Sequence, residues 1–204
     1  LSIRRQRQMC IRDRFTPEGF VERFNSDLCN DLGNLLNRTI GMLNKYFNGE
    51  IPTKPSKLTD LDIELENFIT ERIKETEKEM DEAHVSNALD EIWKIISRAN
   101  KYIDETMPWA LFKEEKIEEL KDVMYHLVEV LRKVAILIKP CMEESSAKIF
   151  EQLMIKDENL MTWDSIKTYP ELGNGLKVIK KGNPLFLRLD LNQEIEFLKN
   201  EMNK

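Results

Sequence analysis

Apolar residues recur every three or four positions through four long stretches of this chain, most of them closed by proline or glycine. That spacing is the pattern of helices burying one face, and it leaves little room for sheet. Only seven glycines and seven prolines occur in 204 residues, mostly at the borders of those stretches. The expected fold is all-α: an antiparallel bundle of about five helices with an irregular C-terminal tail.

Thr16 before Pro17 marks a helix start, the hydroxyl as N-cap and the proline at the first helical position. One helix is expected from there to residue 47, on a stripe of Leu28, Leu32, Leu35, Leu36, Thr39, Leu43 and Phe47, with Asn48-Gly49 as a left-handed stop. Pro52 and Pro55 make 50–57 a linker. Thr59 and Asp62 match a capping box, and the helix that follows carries Leu65, Ile69 and Ile73. A third helix is expected over 85–105, broken at Met107-Pro108 so that Trp109 stands at the junction. A fourth covers about 115–139 and a shorter fifth 145–154. Beyond 163 the chain is turn-rich, and its last residues can start another helix. Leu185, Phe186, Leu187 and Leu189 find no bundle stripe to meet, so only partial order is expected after residue 164.

The net charge of −6 argues against a general nucleic-acid binder wrapped in positive surface, though not against a local reading site. The first fourteen residues stand apart: five arginines and one aspartate make them +4, leaving −10 on the remainder. Two readings are open, a basic arm and a non-native leader resembling translated sequencing-adapter sequence; the second is adopted here. The expected division is therefore a leader over 1–14, a helical bundle over 15–163 and a tail over 164–204. Cys10, Cys29 and Cys141 are scattered outside any metal-ligand spacing and read as reduced thiols of a cytoplasmic protein. The most apolar run, 123–138, is interrupted by His126, Glu129, Arg132 and Lys133 and is too short to span a membrane.

Catalytic chemistry is not in view. His84 and His126 lack any triad or zinc pattern, and His126 reads as a boundary residue of its helix. No glycine-rich phosphate loop is present. Glu64, Glu66, Glu75 and Glu79 fall on polar faces expected to be solvated. Trp93 and Trp163 are assigned to the core or to a domain contact. No catalytic residue, metal ligand or cofactor is assigned to this chain.

The first helix is unusual. Opposite its leucines it carries Asn30, Asn34, Arg38 and Lys45 around a bare Gly41, although asparagine is a poor helix former. Asn34 and Arg38, one turn apart, share a face. An amide supplies donor and acceptor together and a guanidinium a planar fork, which suits the edge of an unpaired base. Asn30, Asn37 and Asn44 read equally well as caps or bridges to neighbouring segments.

The blocks "FVERFNSDLCNDLGNLLNRTIGMLNKYFNG", "ALDEIWKIISRANKYIDETMPWALFK", "KPCMEESSAKIFEQL" and "WDSIKTYPELGNG" together resemble the anticodon-binding domain of bacterial methionyl-tRNA synthetase. The likeness covers about residues 15–190, with the blocks in the family's order. It implies that Asn34 and Arg38 contact anticodon bases of methionine tRNA and that Trp109 stacks beneath the first of them. Asn30, Asn37 and Pro108 are possible supports. It also implies that the chain is the C-terminal part of a class I aminoacyl-tRNA synthetase. The ATP- and methionine-binding catalytic domain, with its His-Ile-Gly-His and Lys-Met-Ser-Lys-Ser signatures, is missing, so this part alone is expected to be non-catalytic. The expected partners are the tRNA(Met) anticodon stem-loop and that catalytic domain, with neither membrane nor DNA. The rival class is a helical protein-interaction adaptor with no RNA role.

Deleting residues 1–14 is expected to leave the melting temperature unchanged, because the segment has no apolar periodicity with which to dock. A drop above about 4 °C, the shift for ~1 kcal/mol in a modest domain, would make it structural.

Overall fold

In the computed structural model the described residues are 16–172 and 175–202, with backbone alone for 199–202. The leader over 1–14 lies outside them. Contacts divide the rest into two compact units: residues 34–185, and the two segments 16–33 and 186–202 taken together. The sequence places its boundary at 163–164 instead, because periodicity ends there; packing does not.

The larger unit contains α2 (Asn34–Phe47), α3 (Asp60–Asp81), α4 (Val85–Thr106), α5 (Pro108–Lys113), α6 (Ile117–Ile138) and α7 (Glu143–Leu153). Among the described residues there are helices and turns but no strand, and the helical bundle matches the fold class read from the sequence. Asn48 and Gly49 both take positive φ, and the Gly49 amide reaches back to the Leu43 carbonyl at 3.0 Å, closing α2 as expected. The Thr59–Asp62 capping box is present at the start of α3. α3 and α4, each of 22 residues, are joined by a short turn and bridged by Arg72 and Glu91 at 2.7 Å.

α6 is the centre of the bundle. Every residue from Val123 to Ile138 is buried, as befits a helix surrounded by others. This corrects the reading of its polar residues as interruptions: His126, Glu129, Arg132 and Lys133 are at most 1% exposed. Arg132 spends all five of its donors. Nε and Nη2 form a fork on Glu129 at 2.9 and 2.6 Å, Nη1 reaches the Leu160 carbonyl and Ser165 Oγ, and Nη2 also reaches the Ser165 carbonyl. Leu160 and Ser165 lie in two short 3-10 turns, Glu158–Met161 and Asp164–Lys167, which are thereby strapped to α6.

His126 is likewise no boundary residue. Its Nδ1 lies 2.7 Å from the Asp122 carbonyl and its Nε2 3.1 Å from Glu66 on α3. Asp62 completes the cluster: one carboxylate oxygen accepts from Thr59, while the other accepts the Tyr102 hydroxyl. Glu66 and Glu79 are accordingly not the solvated carboxylates expected, for Glu79 accepts from Asn87 and faces His84. Trp93 and Trp163 are half-buried rather than core.

The region after 164 also departs from expectation. Ile166, Leu172, Val178 and Leu185 are buried. The segment is also tied down by hydrogen bonds to distant residues, which periodicity does not reveal. The Ile51 amide donates to the Leu176 carbonyl, Val178 to Gly49, and Ile179 to Gln152; Asn44 Nδ2 reaches the Ile179 carbonyl and Tyr125 Oη that of Pro170.

The smaller unit begins with α1 (Pro17–Arg23), capped by Thr16 as expected. The single helix expected to residue 47 is not continuous, since a π-helical segment, Phe24–Gly33, separates α1 from α2. Asn25, Ser26, Asp27, Asn30 and Asp31 cluster there, all types that compete for backbone hydrogen bonds. Asn25 spends its amide on the backbone N–H and carbonyl of Leu189. The wider turn takes Leu28 off the buried stripe, leaving it half-buried. α8 (Leu191–Met202) packs on α1 and is the further helix expected of the last residues.

Glu129→Gln leaves the Arg132 charge buried without its counter-ion and is expected to cost about 3–5 kcal/mol, measured by urea unfolding. A loss below ~1 kcal/mol would show the pair behaving as an exposed one. Lys133, whose ammonium lies 3.4 Å from the centre of the Tyr169 ring, supplies a pH test. Burial holds its pKa down at about 8 rather than 10.5, against the pull of Glu129. Below about 8 the amine is charged in folded and unfolded chains alike, and the cost of burying it is fully felt. Between that value and 10.5 the unfolded chain holds its proton more tightly, so stability from this site rises with pH. The stability difference between the parent chain and Lys133→Met should therefore move in favour of the parent across that window. A pH-independent difference would mean that the amine keeps its ordinary titration.

Candidate nucleic-acid interface

The asparagine-rich face of α2 divides by what each side chain meets. Asn44 is structural, bonded to the carbonyls of Ile40 and Ile179. Asn37 is exposed but its Oδ1 faces Gly182, where a Cβ would come within 3.1 Å. Asn30 lies in the other unit and accepts a long bond, 3.4 Å, from Arg188. Asn34 is exposed and its amide makes no hydrogen bond among the described residues. Arg38, one turn on, is half-buried, and its Nη2 donates to Asp104 near the end of α4 at 3.1 Å. An ion pair this open contributes little to stability. Its consequence is positional: one edge of the guanidinium is held and the other remains for a ligand.

Trp109 owes its place to the α4–α5 junction. Met107 takes the left-handed conformation, φ 45°, its amide closing α4 on the Ile103 carbonyl and its own carbonyl opening α5. A non-glycine residue there costs on the order of 1–2 kcal/mol. Pro108 is buried at the first position of α5, where its missing N–H is no loss. The chain therefore turns sharply and Trp109 emerges 48% exposed, with no hydrogen bond or ring partner among the described residues.

Two contacts on either side of Trp109 bring this junction to α2. Arg38 meets Asp104 five residues before it, and Tyr46 stacks on Phe112 three residues after it, with ring centroids 4.5 Å apart. The larger unit thus brings the segment that carries Trp109 up to α2, on which Asn34 and Arg38 share a face. Sequence reasoning missed Asp104, Tyr46 and Phe112. The recurrence of aromatics at Trp109 and Phe112, one helical turn apart, was the available signal.

Nothing comparable suggests catalysis. His84 is on the surface beside Glu79 and Glu82, and His126 is buried in its polar cluster. Among the described residues no group of three or more His, Cys, Asp or Glu is arranged to hold a metal ion, and no helix is long and apolar enough to cross a membrane.

Known proteins resemble this chain along most of its length. The methionine–tRNA ligase of Listeria innocua is 52% identical over 189 residues, and that of Bacillus subtilis 50%. Each alignment covers 92% of this chain and 28% of the relative, so the chain spans little more than a quarter of those proteins. Among solved structures, the apo form of Mycobacterium tuberculosis methionyl-tRNA synthetase superposes with a TM-score of 0.77 at 30% identity, covering 86% of this chain and 35% of that one. The family described as the anticodon binding domain of methionyl tRNA ligase matches residues 51–200. With a match over most of its length, this chain belongs to the anticodon-binding domain family of methionyl-tRNA ligases.

Proposed function

We propose that the surface carrying Asn34, Arg38 and Trp109 reads the anticodon of methionine tRNA. The observation that supports it most is Trp109: a large indole half in solvent, without a partner, beside the only exposed face of α2 that bears an arginine fork. A stacking plane and an edge-reading pair are the two things an unpaired base needs from a protein. Trp109 takes the first anticodon base on its face, while Asn34 and the open edge of Arg38 bond to base edges. Asp104 holds Arg38 in register. Pro108 and the turn at Met107 fix the direction of the indole.

In this reading the chain selects tRNA for a class I methionine–tRNA ligase of the cytoplasm. ATP-dependent activation of methionine belongs to the catalytic domain of the same enzyme, and no cofactor is assigned to the residues described here. The anticodon stem-loop and the catalytic domain are its partners. Asn37 and Asn44 serve the packing of the 176–183 segment rather than the reading face.

A base stacked on an aromatic ring contributes about 1–3 kcal/mol, so Trp109→Ala should weaken binding of the tRNA(Met) anticodon hairpin roughly 5- to 150-fold with little change in melting temperature. Asn34→Ala and Arg38→Ala should instead narrow the gap between cognate and anticodon-mutated hairpins, since edge contacts specify where stacking tolerates any base. A Trp109→Ala chain that unfolds while Trp109→Phe keeps full affinity and stability would make the indole a packing residue and sink the assignment.

A further inference from the structure

Beyond the three reading residues, the same surface carries a second aromatic element whose role the anticodon triplet does not account for. Tyr46 and Phe112 are stacked, 27° from parallel, and Phe112 remains 42% exposed. Lys45 lies beside them, its Nζ 5.2 Å from the Tyr46 ring centroid, and makes no ion pair among the described residues. Lys45 is seven residues beyond Arg38, two helical turns, and so projects from the same side of α2 about 10 Å further along. Phe112 lies one helical turn beyond Trp109 on α5, so the pair is contiguous with the reading residues without being one of them.

We propose that the Tyr46–Phe112 stack and Lys45 form a subsite for a loop nucleotide flanking the anticodon, with the base on the open side of the Phe112 ring and its phosphate near Lys45. This rests on the anticodon reading above. The subsite has no edge-reading amide or fork among Lys45, Tyr46 and Phe112, so it accepts any base and adds affinity without specificity. It anchors the splayed loop outside the triplet, which leaves Asn34 and Arg38 to discriminate.

The test uses the chain and a tRNA(Met) anticodon hairpin, with abasic versions at the positions immediately 5′ and 3′ of the triplet. Phe112→Leu keeps the apolar contact with Tyr46 and removes the ring face. It should weaken binding about 5- to 30-fold, equally for all four bases at the flanking position, and the effect should vanish for one of the two abasic hairpins. Unchanged affinity, or equal loss with both abasic hairpins, overturns the subsite. Trp109→Ala separates the two ideas. If it weakens binding and Phe112→Leu does not, the subsite alone falls; if neither variant matters, the anticodon reading falls. Should Phe112→Leu melt early, Lys45→Ala decides, since loss of one phosphate contact should reduce the salt slope of binding by about 0.7. An unchanged slope overturns the proposal.

Discussion

The bond between Glu129 and Arg132 is the point from which the larger unit is organised. Both side chains are fully buried, and a buried charge is tolerable only when its partners are complete. Arg132 completes them by drawing in Leu160 and Ser165, so satisfying one guanidinium requires that a stretch without helical periodicity be folded onto α6. Lys133 extends the demand through Glu129 and the Tyr169 ring. An apolar helix at that place would pack as well but leave the turns at 158–167 without this polar anchor.

A second polar joint acts one turn earlier on α6. Asp62 is at once a helix cap for α3 and the acceptor of the Tyr102 hydroxyl from α4, with the His126 ring of α6 nearby at 3.7 Å. Three helices are registered through one carboxylate. Burial and that bond both push the Tyr102 hydroxyl well above its ordinary range, so it stays a donor. Directional bonds of this kind set which turn of one helix faces which turn of another, something apolar contact alone does weakly.

The surface proposed to read the anticodon is built the opposite way. Where α6 is surrounded, the junction of α4 and α5 is open: Met107, Trp109 and Phe112 are each more than two-fifths exposed. It is held by few bonds, an exposed ion pair and an aromatic stack, on helices whose rigidity comes from elsewhere. That division suits a binding surface. The core resists deformation, while Asn34 and Trp109 keep their donors and ring face unspent.

Much of this was legible in the chain. The 3.6-residue period identified α2, α3, α4, α6 and α7, while Thr16-Pro17 marked the start of α1, Thr59 with Asp62 that of α3, and Asn48-Gly49 the end of α2, because caps and periods are local and each residue declares its own preference. The family blocks singled out Asn34, Arg38 and Trp109. Periodicity failed where a contact joins residues far apart in sequence or of the wrong type. The charges of α6 read as interruptions because burial of Arg132 depends on Glu129 and on Ser165, thirty-three residues away. Residues 165–185 read as unanchored because backbone groups hold them to α7 and the 49–51 loop. The π segment read as α because the competition from Asn25 is settled by Leu189. By itself, then, the sequence determined an all-α chain, its helix ends and the residue types fit to read a base. Only the tertiary structure decided which polar groups are buried and which remain free, because a donor is available to a ligand only if the fold has not already used it.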